Sequence, residues 1–86
     1  MASAYFMAVR EVVISEDPMG LLSMGAPVDE YDPEVGDLVE EKSAMTAQRV
    51  HEVFREWFGE ANGLGTEAAR RIATGISRAR AQHRTD

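Results

Sequence analysis

The chain has 86 residues, 9 Lys+Arg against 15 Asp+Glu, and a formal net charge of -6. That length sets one domain with a thin core, and 44% hydrophobic with 28% charged residues is the composition of a folded chain, not a disordered one. The absence of cysteine, and only two histidines (His51 and His83), exclude a disulfide frame, a thiol nucleophile and any cysteine- or histidine-rich metal centre.

The first element is expected over residues 4–16. Phe6, Val9, Val12 and Val13 fit one face of a helix. Val12-Val13-Ile14 also suits a strand, but a lone strand has no partner elsewhere in the chain, so helix is the reading. The apolar start, Met1 to Val9, breaks at Arg10-Glu11 and lacks the basic front and cleavage site of a signal peptide. No run approaches the roughly 18–20 apolar residues of a membrane span, and a cytoplasmic protein with no membrane contact is expected.

Asp17-Pro18 ends that helix, since a residue before proline avoids helical geometry. Residues 17–31 then read as a long apolar loop. Gly20, Gly25 and Pro27 forbid a regular element, yet Met19, Leu21, Leu22, Met24, Val28 and Tyr31 are apolar. Such a loop either packs across the bundle or presents a contact surface.

A second helix is expected at 33–42, with Asp32 as its cap and Pro33 at the first helical position. Val35, Leu38 and Val39 face the core, and Gly36 weakens the pattern. The strongest periodicity lies at 47–58, where Val50, Val53, Phe54, Trp57 and Phe58 recur at i, i+3, i+4, i+7 and i+8. Thr46 caps it, Gly59 stops it, and Asn62-Gly63-Leu64-Gly65 turns the chain. A fourth helix is expected at 67–82, capped by Thr66, with Ala69, Ile72, Ala73, Ile76 and Ala79 inward. Gly75 inside it costs about 1 kcal/mol against alanine, which calls for a packing reason.

The expected fold is therefore all-α, a compact four-helix domain with the apolar loop between its first and second helices. Its expected core is Phe6, Val9, Val13, Leu22, Val35, Leu38, Val50, Val53, Phe54, Trp57, Ile72 and Ile76. A buried Trp57 cut to Ala should cost about 3–5 kcal/mol, most of the stability of so short a chain.

The charges are segregated. Glu11 to Glu41 holds ten acidic residues and no basic one, while Ala68 to Thr85 holds Arg70, Arg71, Arg78, Arg80 and Arg84 and no acid. Either the two halves attract across the fold, or the acidic stretch is a docking patch for a basic partner. A net acidic chain of pI ≈ 4.8 is a poor phosphate binder, so no nucleic acid is expected.

No catalytic constellation emerges, and an enzyme is not expected. Glu30, Asp32, Glu34 and Glu41 have the alternation of a calcium loop, but Pro33 interrupts it and its glycine, Gly36, falls one place late. No metal or cofactor is therefore expected. His51 reads as a partly buried structural residue, since Ser15, Ser23, Ser43 and Ser77 carry no nucleophile motif.

Asp17-Pro18-Met19-Gly20-Leu21-Leu22, then Gly25-Ala26-Pro27-Val28-Asp29-Glu30-Tyr31-Asp32-Pro33-Glu34-Val35, with Val53-Phe54 and Trp57-Phe58-Gly59, form a specific pattern. Over roughly residues 5–80 the chain resembles a small bacterial family, domain of unknown function 1871, known mainly from bacilli. The resemblance implies about four helices and no established activity. Arg10-Glu11 and the valines of the first segment depart from the family pattern. Some members resemble immunity partners encoded beside secreted toxins, an analogy of role.

The expectation for function is a non-enzymatic module that docks a basic protein through Met19, Leu21, Leu22, Met24, Asp29, Glu30, Tyr31, Asp32 and Glu34. An immunity or inhibitor protein is its concrete form. The alternative is a structural homo-oligomer that buries the loop between copies. A small-ligand protein or enzyme is a remoter reading.

Overall fold

Thr46 and Gly59 cap a helix at its two ends as the sequence leads one to expect. The computed structural model describes residues 3–27, 29–59 and 64–83. Four helices follow in order: α1 (Ala4–Glu16), α2 (Asp32–Glu40), α3 (Ala47–Phe58) and α4 (Thr66–His83). No strand occurs among the described residues, so Val12-Val13-Ile14 is helical. Val28, Asn62, Gly63 and Arg84, which the sequence reading used, lie outside the described residues.

The Ser3 hydroxyl accepts from the Phe6 amide at 3.0 Å and starts α1. The Thr46 hydroxyl accepts from the Arg49 amide at 3.1 Å and starts α3, which Gly59 ends at φ 87°. Two expected caps move. Tyr31, not Asp32, precedes α2 and offers no side-chain cap, because Asp32 is already helical and its carboxylate is engaged by Arg10. Thr66 is the first residue of α4, not its cap.

Neighbours pack in a ring: α1 on α2, α2 on α3, α3 on α4, and α4 back on α1. The acidic helix α2 and the arginine-rich helix α4 therefore stand at opposite corners, without contact among the described residues. Within the ring, Val9, Val13, Val35, Leu38, Val50, Val53, Phe54, Ile72 and Ile76 are fully buried, all of them expected. Tyr31 joins them, its ring centroid 6.3 Å from that of Phe54. Gly75 supplies its packing reason: a Cβ there would fall 2.8 Å from Cγ1 of Val12, so α1 and α4 approach more closely than alanine permits.

Three expected core residues are not at the centre. Phe6 and Leu22 are half-buried at its edge. Trp57 is 50% exposed, which overturns its core assignment. Its indole N–H needs an acceptor, and it donates to Asp37 Oδ2 at 2.8 Å, which ties the ring to α2.

Candidate protein-docking surface

The segment between α1 and α2 is held by one buried hydroxyl. Tyr31 Oη donates to Asp17 Oδ1 at 2.8 Å and accepts from the Met19 amide at 3.0 Å and the Leu21 amide at 3.4 Å. Asp17, in the left-handed region at φ 41°, takes the Leu22 and Ser23 amides on its two carboxylate oxygens, each at 3.1 Å. Burial works against the Asp17 carboxylate, but the bonds from Leu22, Tyr31 and Ser23 outweigh it and hold its pKa below the ordinary value. Burial, then the bond to Asp17, pushes the Tyr31 phenol up to about 12.

This network changes the expected docking surface. Met19, Leu21 and Leu22 lie partly buried against the core, and Tyr31 is wholly inside. These four do not form an open apolar patch; turns closed by the Tyr31 hydroxyl fold them inward. Met24 alone of the expected apolar contacts stands out, at 75% exposure.

The acids divide in the same way. Asp29 and Glu30 are exposed in the turn before α2. Asp32 is half-buried and bonded by the Arg10 guanidinium, Nε to Oδ1 at 2.9 Å. Glu34 is only 2% exposed, so it is no contact residue. Burial, and then the nearby Glu30, Asp37 and Asp32, raise its pKa. Glu41 holds Arg49 at 2.7 Å, and its bonds from the Ser43 amide and Arg49 keep its pKa low.

The two charged halves meet sparingly. Arg71 reaches Glu16 at 3.0 Å, and Arg80 caps the carbonyls of Glu41 and Ser43 at 2.7 and 2.6 Å. Arg10 and Arg49, which lie outside the C-terminal arginine run, neutralise Asp32 and Glu41. The outer face of α2, Pro33, Gly36, Asp37 and Glu40 at helical spacing, keeps its negative charge.

That face adjoins a shallow groove of about 380 Å³ lined by Asp37, Glu40, Glu41, Lys42 and Arg49. One of its walls, Asp37, accepts the Trp57 indole N–H. A second groove, of about 390 Å³, is lined by Arg70, Arg71, Thr74, Gly75 and Arg78 on α4. The sequence reading missed Trp57, Asp37 and Glu40 as surface partners. The available signal was the register: Asp37 and Glu40 sit one turn apart, opposite the inward Val35 and Leu38.

His51 is half-buried on α3. Among the described residues, no group of three or more His, Asp or Glu side chains is placed to hold a metal ion. No described helix is long and apolar enough to cross a membrane. No family model matches the chain, and no curated protein or solved structure is detectably similar to it.

Proposed function

We propose that this chain is a non-enzymatic, acidic protein-binding module that docks a basic protein, with an immunity or inhibitor protein as its concrete form. One observation supports the reading: α2 and α4 occupy opposite corners, so the arginines of α4 leave Asp37 and Glu40 of α2 without a cation among the described residues, while Asp32 is paired with Arg10 and Glu34 is buried. Exposed acids of this kind speed encounter with a basic partner and reject acidic ones. We also propose kinship with domain of unknown function 1871. In its support, two residues of the resembling pattern, Asp17 and Tyr31, bond to each other and shape the loop between them.

The test is affinity capture from the source cell with the chain and with an Asp29→Asn/Glu30→Gln/Glu40→Gln variant, which spares the buried Glu34 and the paired Asp32. The reading expects one stoichiometric basic protein, bound at least about tenfold more weakly by the variant. Equal affinity for both versions overturns it.

A homo-oligomer is the second reading, favoured by the same geometry. An acidic corner opposite an arginine-lined groove is complementary to itself, head to tail. Sedimentation at low ionic strength separates the two, since a strict monomer eliminates this option.

A further inference from the structure

Resting on the reading of the chain as a module for basic proteins, we infer that Trp57, Asp37 and Glu40 form a seat for an arginine side chain presented by the partner. Trp57 is the one tryptophan of the chain, and half of it faces solvent. Its N–H is fixed on Asp37 Oδ2 at 2.8 Å, so the indole is held in place. An ordered, exposed aromatic face attracts a cation through its quadrupole, and tryptophan does so best. Fixing the ring beforehand removes an ordering cost from binding.

The carboxylates complete the seat. Asp37 uses one oxygen for the indole and keeps Oδ1 without a partner among the described residues. Glu40 is exposed one turn further on, also without a partner among them. A guanidinium stacked on the ring can donate its fork of N–H groups to these acceptors, which a round ammonium cannot match. Among the described residues, no side chain other than Trp57 hydrogen-bonds to Asp37. Arg49 is bound by Glu41 and Glu52, Arg71 by Glu16, and α4 lies at the far corner. Lys42 and Arg49, the latter so held, line the same groove as Asp37 and Glu40.

The experiment is fluorescence anisotropy with dye-labelled nona-arginine and nona-lysine, titrated with the full chain near physiological salt. Trp57→Leu keeps apolar bulk without the π face. It should weaken nona-arginine by about five- to tenfold and nona-lysine by no more than about twofold. Asp37→Asn/Glu40→Gln should weaken both peptides by about tenfold or more. Glu11→Gln/Glu67→Gln removes the same charge elsewhere and should change either affinity by less than about threefold. Circular dichroism confirms that each variant is folded.

Equal losses from the two double variants would assign binding to net charge and overturn the seat, as would a Trp57→Leu chain that binds nona-arginine like the parent. An oligomer of the chain alone that Asp37→Asn/Glu40→Gln dissolves would put a second copy there and overturn it too. A captured partner that ignores Trp57 and Asp37 but needs Asp29 and Glu30 sinks the seat and leaves the module reading standing.

Discussion

The hydroxyl of Tyr31 and the carboxylate of Asp17, fourteen positions apart, are bonded at 2.8 Å. This contact joins the C-cap of α1 to the residue that precedes α2, and closes the intervening segment onto the core. Tyr31→Phe removes the donor to Asp17 and the acceptor of two amides. It should cost about 1–3 kcal/mol in urea unfolding while the helix signal in circular dichroism stays intact. The pH profile carries the same signature. The depressed Asp17 pKa gives stability that is present above its ordinary value of 3.8 and is lost as pH falls through the lower folded value. The raised Tyr31 pKa gives stability that is present below pH 10 and is lost as pH rises toward about 12. Tyr31→Phe should flatten the alkaline loss.

Trp57 and Phe54 separate surface from core on one helix. Phe54→Ala should cost about 3–5 kcal/mol and unfold most of the population, since Phe54 is fully buried among Tyr31 and Phe58. Trp57→Ala should cost less than about 2 kcal/mol, because half the ring is already in water. Parallel urea curves check the pair.

Two helical glycines should respond with opposite signs. At Gly36 an added Cβ meets nothing within 4 Å, so Gly36→Ala should stabilise by about 0.5–1 kcal/mol. At Gly75 the same atom strikes Val12, and Gly75→Ala should destabilise by about 1–3 kcal/mol. Adding Val12→Ala should recover part of that loss, read as a coupling energy in a double-mutant cycle.

Glu34 is a buried acid with a raised pKa. A raised carboxylate favours the protonated fold, so its contribution is present below its ordinary 4.5 and is lost as pH rises through the higher folded value. Glu34→Gln should therefore raise the melting temperature at pH 7 and change it little at pH 4. Thermal melts at both values check the sign.

Periodicity and capping residues made the helices legible. The boundaries of α1 and α3 are those read from Asp17-Pro18, Thr46 and Gly59, and α4 follows its Ala and Ile spacing. The buried Tyr31 and Glu34 were not legible. Tyr31 lies in a segment without period, and its inward turn depends on Asp17, fourteen residues away. Glu34 reads as a solvated acid by type, yet it sits beside the inward Val35 on α2. Trp57 carries the core spacing, but its N–H is bonded to Asp37 on a neighbouring helix, which holds the ring at the surface. The candidate surface was legible as acidic charge, while the residues that form it depended on which acids the fold pairs or buries.

The lone indole offers the most direct check on a Trp57 that faces outward beside negative charge. Quenching of its fluorescence by caesium and by iodide, each relative to a free tryptophan amide, reads exposure and local sign together. The account predicts that both ions reach the ring, that caesium is favoured over iodide, and that Asp37→Asn/Glu40→Gln removes the preference. An indole shielded from both ions, or one that iodide quenches as readily as caesium, would contradict it.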